Sequence, residues 1–168
     1  QLWFKFMESK DGWEHIRESS KKLDAKTCRI FAVGNSQHEM IQKWFKDMGI
    51  LIKEEQRIET FYKGVPIHAY IDALILIQDK VMIVEIKTIK SKGFTYLSKA
   101  KPEHIVQLQM YMYFTGLKEG FVLYIDKDTQ DMKEFYVKYD EDLIERELEK
   151  LVLVWELVQE GDEPPMVP

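Results

Sequence analysis

The stretch Ile71 to Thr88 of this 168-residue chain carries three charges, set within apolar runs, at positions that could do chemistry. Asp72 lies in the run Ile71 to Ile77, and Glu85 and Lys87 lie in the run Val81 to Thr88. Both runs are rich in β-branched residues and flank the polar Gln78-Asp79-Lys80, which predicts two strands joined by a tight turn. A charge inside a buried strand is unfavourable unless it is paired or binds a metal. Glu85 and Lys87 are two residues apart, so they project from one face of their strand. A hairpin brings Asp72 near them across the ladder. Two carboxylates and a lysine on one sheet face can hold a divalent cation, with the ammonium facing water or phosphate. The plainer alternative is an ion-pair network, with Asp72 against a nearby lysine and Glu85 against Lys87 on a solvent face. Val81 to Val84 argue for burial there and weaken that alternative.

Asp72, a spacer of twelve residues and Glu85-Ile86-Lys87 resemble the signature of the PD-(D/E)XK nuclease superfamily. Upstream, Gly34-Asn35-Ser36-Gln37-His38 resembles the Gly-x-x-x-His that opens a helix in the RecB-like and Cas4-like branch. Downstream, Gln107-Leu108-Gln109-Met110-Tyr111 resembles that branch's Gln-x-x-x-Tyr helix. The resemblance covers about residues 30 to 126. It departs at Ala69, where many members carry glycine three residues before the aspartate.

That resemblance implies an α/β fold, a restriction-endonuclease-like αβββαβ core with a central mixed sheet flanked by helices. It implies a divalent-metal-dependent deoxyribonuclease, an exonuclease acting on DNA ends or single strands in recombination, repair or replication. Asp72, Glu85 and Lys87 are then the catalytic residues. Mg²⁺ or Mn²⁺ is held by Asp72, Glu85, the Ile86 carbonyl and His38, and an imidazole ligand favours Mn²⁺. His68 and His104 compete with His38 as candidate histidines; His68 precedes the Asp72 strand, and His104, one helical turn before Gln107, is close enough to be a DNA contact. Lys87 positions water or stabilises charge on the phosphate, and neighbouring carboxylates keep it charged. Gln107 and Tyr111, four apart on one helix face, contact the DNA, although Tyr111 among Met110, Met112, Tyr113 and Phe114 also reads as core. A further acid on the preceding strand is Glu54, Glu55 or Glu59.

These side chains need elements to hold them. Residues 1 to 27, with Trp3, Phe4, Phe6 and Trp13, read as a helical extension. Cys28 to Val33 is a short apolar run entering the next element. Ser36 with Glu39 makes a capping box for a helix whose apolar face is Met40, Ile41, Trp44, Phe45 and Met48, ended by Gly49. A strand follows over Ile50 to Tyr62, then a turn at Lys63 to Pro66. Lys90 to Lys101 reads as a mobile loop. Pro102 opens a helix that Gly116 ends. Phe121 to Ile125 is a buried strand, and Lys133 to Tyr139 an edge strand. Asp140 caps a closing helix over 140–160 with Leu143, Ile144, Leu148, Leu151, Val154, Trp155 and Val158 on one face. The whole chain, 1–168, reads as a single domain with its core over about 30–139.

Composition bounds the alternatives. Apolar residues make up 45% and charged residues 32%, a globular balance. Cys28 is the only cysteine, which excludes an internal disulfide or a four-cysteine iron–sulfur cluster built by one chain. No apolar run is long enough to span a membrane, and the first residues lack a signal-peptide layout, which predicts an intracellular protein compatible with a phage origin. Net charge is −5, which argues against nucleic-acid binding until its distribution is read. From Lys87 to Lys101 five lysines, Lys90 and Lys92 among them, occur with no acid. A basic strip beside an acidic metal site suits DNA, with Phe94 and Tyr96 available to stack on bases. A helicase or recombination partner fits such a domain. The competing functions are a non-catalytic nucleic-acid-binding module, a structure-specific endonuclease, and an α/β interaction domain.

Overall fold

The computed structural model describes residues 25–161. The helical extension expected before residue 25 and the proline-rich end after 161 lie outside the described residues.

The first element of the described residues is α1 (Ala25–Asp47). It starts about three turns before the expected capping box. No proline interrupts the stretch, and a single internal glycine such as Gly34 costs a helix only about 1 kcal/mol. Ser36 therefore sits in mid-helix, donating its hydroxyl back to the Val33 carbonyl at 2.9 Å. Cys28 to Val33 is helix and not a separate entering run, and Ile30, Phe31 and Val33 are exposed. Only the second half of α1 packs on the sheet. Ile41 and Phe45 are buried there, whereas Trp44 and Met48, expected on the same face, are exposed.

Three antiparallel strands follow: β1 (Leu51–Tyr62), β2 (Val65–Ile77) and β3 (Lys80–Ile89). The β2–β3 turn is shorter than expected, because Lys80 already pairs with Ile77. Gln78 and Asp79 both take positive φ, 50° and 62°, as a two-residue hairpin turn requires. The short helix α2 (Ser91–Thr95) and the longer α3 (Pro102–Thr115) then carry the chain over to β4 (Glu119–Asp126), which pairs parallel with β3. Parallel neighbours need such a crossover. The antiparallel β5 (Met132–Lys138) and α4 (Glu141–Glu160) complete the fold.

The mixed sheet has the order β1-β2-β3-β4-β5. Its centre, β3 and β4, is apolar and buried along most of its length, as a strand covered on both faces must be. Beneath α1, one cluster gathers Ile41, Phe45, Ala73, Ile75, Val84, Ile86 and Leu123. Beneath α3, another gathers Ile71, Ile83, Leu108, Tyr111, Met112, Val122 and Tyr124. The closing helix α4 packs against α3 and β2, with Ile144, Leu148 and Val158 buried. Asp140 caps it by accepting from Leu143 N at 3.0 Å. At Gly120 the two central strands come so close that a Cβ would stand 2.5 Å from the Ile83 carbonyl oxygen.

The segment Lys90 to Lys101 is anchored, in contrast to the expected mobile loop. Lys133 Nζ donates to the Phe94 and Leu97 carbonyls at 2.7 and 3.1 Å and lies over the Phe94 ring. Ser91 Oγ donates to Asp126 and Asp128. Phe94 is buried by this packing and is not free to stack on a base; Tyr96 remains exposed.

Candidate active site

Asp72 lies where β2 parts from both neighbours. The β2–β3 ladder ends at Ala73–Val84, one step before Asp72 and Glu85 would face each other. The β1–β2 ladder pairs Glu54 with Ala73 and Gln56 with Ile71, passing over Glu55 and Asp72. Glu55 takes a positive φ of 48° there. Ile71 packs beneath α3 while Ala73 packs beneath α1, so β2 changes the face it presents at Asp72.

Side chains replace the missing ladder bonds. The Ile86 N–H donates to Asp72 Oδ2 at 2.7 Å. Gln42, buried on α1, donates its Nε2–H to the Asp72 carbonyl at 2.8 Å and to Glu55 Oε1 at 3.0 Å. Sequence reasoning missed Gln42, although it lies four residues after His38 and so on the same helix face. Of the three acids left open on β1, Glu55 is the one tied to Asp72 in this way. Glu59 instead pairs with Arg57 at 2.8 Å and approaches His68 on the exposed side.

Asp72 Oδ1 faces His38 Nδ1 at 3.4 Å. The hydrogen bond that Asp72 accepts from His38 raises the imidazole pKa, against the opposing effect of burial. Glu85 is 2% exposed and pairs through Oε1 with Lys87 Nζ at 2.5 Å. The ion pair weighed as the plainer alternative therefore exists, with its carboxylate buried and its lysine partly exposed. Its other oxygen, Oε2, is buried with no hydrogen-bond partner. Burial, and then the Asp72 charge, push the Glu85 pKa up to about 7, while Lys87 opposes the rise.

On α3, Gln107 Nε2 donates to the Tyr111 hydroxyl at 2.6 Å, and both residues line a cavity of about 340 Å³ with Ile67, His68 and Ala69 of β2. Tyr111 belongs to the core, being 4% exposed and buried in the cluster beneath α3. Its phenol is raised by burial and then by the Glu85 charge. Lys90 and Lys92 are exposed at the start of α2, just beyond the end of β3 that carries Lys87. His104 is not beside Asp72; it bonds Tyr124 instead. An open cleft of about 760 Å³ runs between α1 and β1, lined by His38, Gln42, Glu54, Glu55 and Lys43 among others.

Among the described residues, no three His, Cys, Asp or Glu side chains are already drawn together as a ligand cluster. Asp72 Oδ2 is turned to Ile86 N and Glu85 Oε1 to Lys87. The donors left over are the Glu85 Oε2 orphan and Asp72 Oδ1, with His38 and the Ile86 carbonyl beside them. An oxygen-rich set with a buried, unpartnered carboxylate oxygen fits a hard divalent cation.

A family model described as the PD-(D/E)XK nuclease superfamily matches residues 34–138, more than half of the chain. Among solved structures, SSO0001 is 22% identical with a TM-score of 0.57, covering 84% of this chain and 70% of that one. An alkaline exonuclease from Laribacter hongkongensis is 23% identical with a TM-score of 0.52, covering 70% of this chain and 63% of its own. The same exonuclease in complex with dAMP gives 18% identity and a TM-score of 0.57, covering 87% and 76%. At these identities the likeness is one of fold. No curated protein matches the sequence.

Proposed function

The chain belongs to the PD-(D/E)XK nuclease superfamily, and from that premise we propose that it is a divalent-metal-dependent deoxyribonuclease, an exonuclease acting on DNA ends or single strands. The observation that carries this reading is the buried, unpartnered Glu85 Oε2 beside Asp72 and Lys87. A core with no ligand to bind would leave a carboxylate there at a loss of stability. Placement in the RecB-like branch rests on His38 facing Asp72 and on the Gln107–Tyr111 pair. The proposal takes the chain as one nuclease domain with its core over about 30–139.

The reaction is hydrolysis: an oxygen of water bonds to phosphorus and the bond to the departing nucleotide oxygen breaks. Asp72, Glu85, the Ile86 carbonyl and His38 would hold Mg²⁺ or Mn²⁺. When bound, that cation supplies Lewis-acid stabilisation of phosphate oxygens and makes water more acidic. Lys87, drawn to Glu85 in the free protein, places an ammonium where negative charge develops on the phosphate. The Gln42 bond to the Asp72 carbonyl holds the aspartate backbone where no strand partner does. Gln107 and Tyr111 offer donors to the DNA backbone, and Lys90 and Lys92 extend the site with positive charge.

The test is incubation of end-labelled single- and double-stranded DNA in Mg²⁺, Mn²⁺ or EDTA, with Asp72→Ala and Lys87→Ala alongside. Cation-dependent degradation lost in both variants is expected, and the product ladder gives polarity. Equal inertness of all three proteins in both metals would overturn the enzyme, and retained DNA binding would then favour the non-catalytic module.

A further inference from the structure

The parallel register sets Tyr124 of β4 beside Lys87 of β3. Tyr124 is fully buried in the cluster beneath α3, so its hydroxyl points toward that helix. There the oxygen accepts from Lys101 N at 3.0 Å, just before the first turn of α3, and stands 2.6 Å from His104 Nδ1. With Lys101 N already donating to that oxygen, the arrangement that satisfies the hydroxyl proton donates it to Nδ1, and an imidazole that accepts at Nδ1 carries its hydrogen on Nε2. The two rings are packed with centroids 5.5 Å apart, which limits rotation of the imidazole.

His104, Gln107 and Tyr111 are spaced i, i+3 and i+7 on α3, so they line one side of the helix. Tyr111 lies close enough to Glu85 to feel its charge, and at the other end of the line His104 packs on Tyr124, the strand partner of Lys87. No element of the catalytic reading uses it. We propose that His104 is a substrate-binding residue, donating its Nε2–H to a phosphate oxygen of the strand whose scissile phosphate meets Lys87.

This rests on the nuclease reading above and extends it by one contact. Burial lowers the His104 pKa and the Lys87 charge lowers it further, which keeps the ring a donor without adding a second cation beside the ammonium. Tyr124 acts through the imidazole as a positioning residue.

The test compares wild type, His104→Leu, His104→Gln and Tyr124→Phe in steady-state cleavage of a labelled single-stranded oligonucleotide in Mn²⁺. A lost hydrogen bond to a charged phosphate raises KM about tenfold in His104→Leu, with kcat within about twofold. His104→Gln retains a donor and returns KM to within about threefold of wild type, at the same unfolding midpoint as His104→Leu. In ¹⁵N–¹H correlation spectra of the wild-type ring, the Nε2–H tautomer is expected at pH 7, and Tyr124→Phe mixes the tautomers. An unchanged KM in His104→Leu, or an Nδ1–H tautomer in wild type, overturns the proposal while the nuclease reading stands. A wild type that neither cleaves nor binds the oligonucleotide overturns both.

Discussion

Replacing Glu85 with glutamine should stabilise the metal-free protein at alkaline pH and abolish its response to metal. In the unfolded chain Glu85 ionises near its ordinary 4.5; in the fold it holds its proton to about 7. Between those values the native state binds more protons, so stability falls as pH rises through the window and stays lower above it. At about 1.4 kcal/mol per pH unit the ceiling on this penalty is roughly 3 kcal/mol. Glutamine removes the charge but leaves Lys87 without its 2.5 Å partner. Offsetting the two leaves an expected gain of about 1–2 kcal/mol at pH 8, or roughly 3–6 °C in Tm for a domain of this size. Near pH 4.5 both proteins carry a neutral side chain and the gain should vanish. The assay is thermal unfolding in EDTA across pH 4.5 to 8, repeated with Mn²⁺. Wild type should then gain about 2.7 kcal/mol at a hundredfold excess over Kd, and Glu85→Gln nothing. A Tm difference that is the same at pH 4.5 and pH 8 would refute the reasoning, because it would mean that Glu85 is not held above its ordinary pKa.

Other consequences are sharper in structure than in activity. Asp72→Asn keeps an oxygen for Ile86 N, so the unfolding midpoint should move by less than about 1 kcal/mol. Loss of the carboxylate should let the His38 pKa fall toward its ordinary 6.5, read by NMR titration, because Asp72 is the main cause of its rise. Gln42→Ala leaves the Asp72 carbonyl and Glu55 without their donor and should cost about 1–3 kcal/mol by denaturant unfolding. Gly120→Ala drives a methyl against the Ile83 carbonyl and should cost about 1–3 kcal/mol, with slowed hydrogen exchange lost first between β3 and β4.

Much of the fold was legible because its signals are local. Pro102 and Gly116 bracket α3 as expected, and Gly116 takes the left-handed φ of 77° that ends a helix. Asp140 caps α4 through its own side chain. Where local signals misled, packing was the cause. Ser36 with Glu39 has the pattern of a helix start, yet nothing before it prevents the helix from continuing back to Ala25. The lysine-rich segment from Lys90 to Lys101 is polar enough to read as a loop, but Lys133, more than thirty residues on, holds its carbonyls. The same long-range bond buries Phe94, a fact that no property of its own neighbours in the chain announces.

The candidate site divides in the same way. A period of two along a strand requires only backbone geometry, so the common face of Glu85 and Lys87 followed from the chain itself. The apolar residues around them likewise implied burial, and Glu85 is buried. What burial would do to that carboxylate was decided by tertiary structure, which brings the Asp72 charge close and leaves Oε2 without a partner. Tertiary structure also tied Glu55 to Gln42, recruited Gln42 across thirty residues to the Asp72 carbonyl, and set His104 on Tyr124. Periodicity and capping are properties of neighbours in sequence, whereas hydrogen bonds and charges act through space. Only the assembled sheet, with helices on both faces, fixes those distances.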